Sequence, residues 1–290
     1  MDFLQQNSGI YLLFVTLLGL TVGSFLNVVI HRLPRMMEQQ WRRDCEELLQ
    51  GESALQDKDE APYTLSRPAS HCPHCGHRIR AWENIPVFSW IGLRGRCSSC
   101  HNPISLRYPL VEAVTGAFTF VIAYHFGFTW MTLAALLLTW ALIALSMIDF
   151  DVQLLPDNIT LPFLWLGLLI NLGGLFTDPQ SAIIGAAAGY LSLWSVYQLF
   201  KRLTGKEGMG YGDFKLLALL GAWFGWQYLP QIILLSALVG AVVGILLIVV
   251  RGRDRNIPIP FGPYLAAAGW ISMMWGAQIN QAYLRWSGLG

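Results

Sequence analysis

The chain has 290 residues, of which 54% are hydrophobic and only 13% are charged, and its mean hydropathy is +0.46. That composition excludes an ordinary soluble domain and points to a polytopic membrane protein. The formal net charge of +1 says little about partners, since the distribution of charge matters more than its sum; no nucleic acid is expected among them.

Ile10 to Ile30 is apolar and long enough to cross a hydrocarbon core of about 30 Å. Positive charge follows this run at Arg32 and Arg35 instead of preceding it, the reverse of a cleavable signal peptide, so the first span is expected to stay attached with its N-terminus outside. Ser24 and Asn27 are polar within it and should face other helices or a cavity.

From His31 to Tyr108 the composition turns polar, with four of the chain's cysteines in two tight pairs. A water-exposed domain is expected there, with one or two short helices over 36–56 and an acidic cluster that reads as a solvated face. Cys72-Pro73-His74-Cys75 and Cys97-Ser98-Ser99-Cys100 form two Cys-x-x-Cys knuckles. Four thiolates on two knuckles can surround Zn²⁺ tetrahedrally, which closes the site and makes the metal structural. Two Cys pairs also suit a thiol–disulfide relay, but the charge pattern places this domain in the reducing cytoplasm, where such relays into secreted proteins do not run. His71, His74, His77 and His101 are alternative ligands, and Cys45 is a lone thiol.

Apolar runs then recur over 106–126, 128–148, 159–176, 182–200, 214–224, 229–250 and 264–283, making eight expected spans with the first. All should be helical, since only helices or closed barrels satisfy their backbones in lipid. The run 214–224 is short. If it crosses, the basic clusters at 31–107, at Lys201, Arg202, Lys206 and Lys215, and at Arg251, Arg253 and Arg255 share one side of the membrane.

That arrangement also puts Asp149 and Asp213 at the same depth on the cytoplasmic side. Ionisable side chains at a membrane boundary are costly and mark functional sites. Asp213 follows Gly208, Gly210 and Gly212, which remove bulk and permit positive φ, so that a substrate backbone can come close. An Asp at a helix start also serves as an ordinary cap. Two carboxylates brought together hold a proton between them, the arrangement an aspartic protease uses to activate water without a covalent intermediate. Asp151 is a second choice for the pair, and Asp157, next to Pro156 at a helix start, has a structural explanation. The same acids also fit a cation site in a transporter.

These residues resemble the bacterial type IV prepilin peptidases, a family of bifunctional leader peptidases and N-methyltransferases. The likeness is carried by Gly23-Ser24-Phe25-Leu26-Asn27-Val28-Val29 with His31-Arg32-Leu33-Pro34, by the two Cys knuckles, and by Glu83-Asn84-Ile85-Pro86 through Gly95-Arg96-Cys97. It continues with Ile148-Asp149, Leu155-Pro156-Asp157, Gly210-Tyr211-Gly212-Asp213 and Pro260-Phe261-Gly262-Pro263, and so covers nearly the whole chain. The region around Asp213 is also similar to the Gly-x-Gly-Asp type of membrane aspartyl protease, in which 260–265 would form a proline-containing wall near the site.

The resemblance implies an all-α polytopic protein of about eight transmembrane helices, with a small cytoplasmic zinc-knuckle domain inserted after the first. Residues 1–32 would be the first helix with a periplasmic N-terminus, 33–105 the zinc-binding domain, and 106–290 the membrane-embedded aspartyl protease. It implies catalytic Asp149 and Asp213, and zinc on Cys72, Cys75, Cys97 and Cys100. The substrates would be type IV prepilins and type II secretion pseudopilins in a bacterial inner membrane, cut after a Gly on the cytoplasmic face. The new N-terminus would then be methylated from S-adenosylmethionine. No glycine-rich Rossmann signature marks the methyl-donor site, and Glu83 to Arg96 is its candidate location. A non-catalytic pilus-assembly scaffold is the remaining alternative.

Overall fold

The computed structural model describes residues 7–50, 63–251 and 259–287. Among them, regular structure is helical, with two isolated β-bridges and no strands. A helix stands at each of the eight expected positions. Five are long and apolar enough to cross a membrane: Ser8–Leu49, Arg107–Phe126, Trp130–Val152, Pro179–Thr204 and Trp226–Val250. The chain forms two compact units, Met1–Phe128 and Thr129–Gly290.

In the first unit, α1 (Ser8–Gln50) packs along α3 (Arg107–Phe126), with the short α2 (Phe88–Gly92) between them in the chain. Small residues let the two long helices approach. A Cβ on Gly19 would lie 2.5 Å from the Thr119 hydroxyl, and one on Gly23 would lie 2.7 Å from the Glu112 Cα. Near one end of the pair, Tyr11 donates its hydroxyl to the Gly127 carbonyl at 2.9 Å.

α1 differs from the short helices expected after residue 36. It runs through Pro34 as one helix of 43 residues, about 65 Å at 1.5 Å per residue, roughly twice the hydrocarbon thickness. The described part of the acidic cluster therefore lies on the polar second half of a helix that its apolar first half already nucleates, which removes the cost of starting a new one. Residues 51–56 of that expectation lie outside the described residues.

The second unit holds α4 (Trp130–Val152), α5 (Asp157–Asn171), α6 (Pro179–Thr204), α7 (Tyr211–Phe224), α8 (Leu229–Arg251) and α9 (Gly262–Ser287). α7 lies at its centre, packed against α5, α6 and α9, and Phe214, Leu216, Leu217, Leu219, Leu220 and Trp223 are fully buried. This is why the run 214–224 is so short: at 14 residues, about 21 Å, α7 is surrounded by protein. α6 and α7 touch backbone to backbone, Gly185 against Gly221 and Gly189 against Leu217, where any side chain would collide.

Asn171, at the end of α5, is fully buried and donates to the carbonyls of Ala222 and Trp223, both at 2.9 Å. Its Oδ1 accepts from the amides of Phe176 and Thr177. One amide thus satisfies the C-terminal carbonyls of α7 and the loop beyond α5, groups that would otherwise be stranded away from water. Asn171→Leu is expected to cost about 2–4 kcal/mol, read as a lower unfolding midpoint in detergent. An unchanged midpoint would contradict this role.

Candidate functional site

The site in the second unit is built from three helix ends. Asp149 lies in the last turn of α4, which closes with Gln153 in the left-handed region and the Gln153 amide on the Asp149 carbonyl. Asp213 lies in the first turn of α7, three residues after the N-cap Gly210. Gly262 starts α9, and its backbone N–H donates to Asp149 Oδ2 at 3.0 Å.

Leu155, in the connection between α4 and α5, ties these ends together. A Cβ on Gly212 would lie 2.8 Å from its Cβ, and one on Gly262 would lie 3.2 Å from its methyl groups. Asp149 is 5% exposed and Asp213 8%, and the two carboxylates are close enough for their charges to interact. The structure thus brings the two sequence-predicted aspartates together, with the Pro260–Pro263 segment against one of them.

The glycines around Asp213 serve one of their two expected roles, the removal of bulk, and not the other. Gly208, Gly210 and Gly212 do not take positive φ, and Gly210 has φ −80°. Space is the requirement instead. Gly212 makes room for Leu155 and Gly208 for the Phe200 ring, while a Cβ on Gly210 would lie 3.9 Å from Asp213 Oδ2.

Asp157 is occupied elsewhere: Lys215 Nζ donates to both its carboxylate oxygens at 2.7 Å, fastening the start of α7 to the start of α5. Asp151 is exposed at the end of α4.

In the first unit, the Sγ atoms of Cys72, Cys75, Cys97 and Cys100 all lie within 4.8 Å of one another, and Cys72 and Cys100 are 3.8 Å apart. Tetrahedral zinc with Zn–S bonds of about 2.3 Å sets its sulfurs about 3.8 Å apart, so the four thiols fit that ion with no ligand position left open. The knuckles share a backbone plan. The Cys72 amide meets the His77 carbonyl and the Cys97 amide meets the Asn102 carbonyl, and the residue after each second cysteine has positive φ, Gly76 at 71° and His101 at 58°.

Backbone N–H groups of Cys75 and His74 bring the Cys72 thiol down to about 7. Cys100, although the Asn102 amide favours its thiolate, is pushed up to about 11 by burial and by the three neighbouring thiols. A cation among the four sulfurs removes that mutual repulsion.

Glu83 clasps the knuckles to each other. Its carboxylate accepts from the Arg80 amide at 2.8 Å and the Ser98 hydroxyl at 2.6 Å, and meets His77 Nε2 at 3.2 Å. The Arg80 amide, then Ser98 and His77, hold Glu83 down at about 2, against an ordinary value of 4.5. Its contribution to stability is therefore complete at neutral pH and is lost as pH falls from about 4.5 through 2. Glu83→Gln is expected to weaken zinc retention about 10- to 100-fold, measured by competition with a chelator, and unchanged retention would refute the clasp.

Sequence reasoning missed Glu112. It lies in α3, is 8% exposed, and accepts the Val87 amide at 2.8 Å on Oε2. The signal was present, a carboxylate inside an apolar run, but that run read as an unbroken span.

Residues 17–126 match the family described as the bacterial peptidase A24 N-terminal domain, and residues 136–245 match the type IV leader peptidase family. Curated relatives extend the match to the whole chain. The prepilin leader peptidase/N-methyltransferase of Stutzerimonas stutzeri is 56% identical over 288 residues, 99% of each chain. The protein of the same description from Pseudomonas aeruginosa strain PAO1 is also 56% identical, over 99% of this chain and 98% of its own. That from Aeromonas hydrophila is 57% identical over 95% of this chain and 94% of its own. No solved structure matches significantly. With the paired acids inside the leader-peptidase match and the four cysteines inside the N-terminal match, the chain belongs to the type IV leader peptidase family, a family of enzymes.

Proposed function

We propose that this enzyme removes the basic leader of type IV prepilins and type II secretion pseudopilins after a Gly, at the cytoplasmic face of a bacterial inner membrane. It then methylates the new N-terminal amine from S-adenosylmethionine. The observation that carries the first activity is the meeting of buried Asp149 and Asp213 around Leu155 and Gly262, with a glycine-lined approach.

Asp149 and Asp213 hold one proton between them and a water in their gap. The ionised member takes a proton from that water as its oxygen attacks the scissile carbonyl, while the protonated member donates to the carbonyl oxygen; the proton then passes to the leaving nitrogen. The Gly262 N–H steadies Asp149 through its Oδ2. Gly210, lacking a side chain, leaves room beside Asp213 for an extended substrate backbone. A pilin's apolar N-terminal helix suits a site reached from within the bilayer.

The eight helices all span the membrane in this reading, with the basic clusters inside and α7 crossing within the protein. Zinc on the four cysteines is structural and holds the cytoplasmic domain together.

The deciding experiment incubates purified protein with a prepilin, with and without S-adenosylmethionine, and weighs the products. A leaderless product in both tubes, heavier by one methyl group where the donor is present, is expected. An intact prepilin in both would refute the reading.

A further inference from the structure

The first unit contains a cavity of about 440 Å³ that the aspartate pair, in the second unit, does not explain. Its volume is in the range of small-molecule sites. Its lining comes from Ser24 and Asn27 of α1, Trp90 of α2 and Tyr108 and Glu112 of α3, and the knuckles complete it with Cys72, Glu83 and Cys97.

The walls are held in place. Asn27 donates to the Tyr108 carbonyl at 3.1 Å, joining α1 to the start of α3. The Trp90 indole N–H donates to the Ile104 carbonyl at 3.2 Å, and its ring lies over Gly95, where a Cβ would be 2.7 Å away. Glu112 stands five residues beyond Arg107, the first residue of α3, about 7.5 Å along the helix. The cavity therefore lies within two turns of the start of α3, the end that the proposed topology puts at the cytoplasmic boundary of the bilayer.

We infer that this cavity is the methyl-transfer site, binding the sulfonium methyl donor S-adenosylmethionine against Trp90 and Glu112, with Glu112 as the base for the acceptor amine. The inference rests on the function proposed above, in which cleavage leaves an ammonium group on the end of an apolar helix. Such a group settles at the membrane boundary, its charge in water and its body in lipid. A buried carboxylate at that depth attracts both cations of the reaction, the donor's sulfonium and the acceptor's ammonium, and an indole face favours the sulfonium.

The ammonium must lose a proton before it can act as a nucleophile, since an α-amino group is largely protonated at neutral pH. Glu112 takes that proton. The freed nitrogen lone pair forms the new N–C bond, the C–S bond breaks with its electron pair passing to sulfur, and the products are a methylated ammonium and a neutral thioether. The protonated Glu112 then returns its proton to solvent.

Glu112→Gln tests this in the full-length protein. Gln keeps an oxygen for the Val87 amide and so preserves that bond, while the charge is lost. With a prepilin and S-adenosylmethionine supplied, leader removal is expected within about twofold of wild type and methylation at least about a hundredfold lower. Methylation reduced less than tenfold, or cleavage and methylation lost together, would overturn the assignment of Glu112.

A second arm irradiates wild-type protein with radiolabelled S-adenosylmethionine, with S-adenosylhomocysteine as competitor, and maps the label. Competed label within residues 84–112 supports the site, whereas label within 129–290 or no competed label overturns it. Failure of the wild type to methylate any prepilin would instead strike the underlying function.

Discussion

Asp149→Asn and Asp213→Asn should each lower leader cleavage by at least about a thousandfold, because either change leaves the pair unable both to take a proton from water and to give one to the carbonyl. Neither should unfold the protein. Asn can still accept from the Gly262 amide at position 149, and replacing a buried carboxylate by an amide removes a desolvation cost. The control is a synthetic pilin peptide that already lacks its leader. Both variants should methylate it at near the wild-type rate, since in the proposed mechanism these acids serve only the hydrolytic step. Cleavage retained within tenfold by either purified variant would defeat the assignment.

Removing the metal should have the largest effect on stability. The region around Cys72–Cys100 is a set of turns and one-turn helices with few buried apolar side chains, Cys72 and Cys97 among them, so it has little core of its own. Structural zinc in small domains contributes on the order of 10 kcal/mol or more, beyond what such a region could otherwise supply. A chelator at neutral pH, or Cys72→Ser, is expected to abolish amide-exchange protection over roughly 72–104 while sparing α4 to α9. Metal analysis should give one zinc per chain before treatment. A zinc-free sample with undiminished protection would show that the four thiols hold the region without it.

The parts of this enzyme that were legible in its sequence are those where a residue type violates its surroundings. Asp149 and Asp213 stood out as acids at the ends of apolar runs, and the cysteines by their paired spacing. Asn171 and Glu112 violate their surroundings too, yet each lies within an expected span and hydropathy averages it away. What makes Asn171 matter is a partner 51 residues distant, and no local pattern encodes that pairing. The glycines near Asp213 were recognisable as necessary, with removal of bulk and positive φ both expected, but a sequence cannot tell which of the two is used or that the space goes to Leu155 and Phe200.

The length of α1 was hidden for another reason: a proline and a change to polar composition both suggest an ending, but Pro34 removes only its own N–H, and the helix absorbs that loss. Hydropathy likewise left undecided whether the run 214–224 traverses a bilayer, since a helix sheathed in other helices, as the 14-residue α7 is, need not match lipid thickness.

The bonds at the two ends of α7 limit how it can move. Lys215 is moored to Asp157 at one end, and the carbonyls of Ala222 and Trp223 are moored to Asn171 at the other. Both tethers run to α5, so α7 cannot slide along its axis past that helix without breaking them, and Asp213 keeps its height relative to α5.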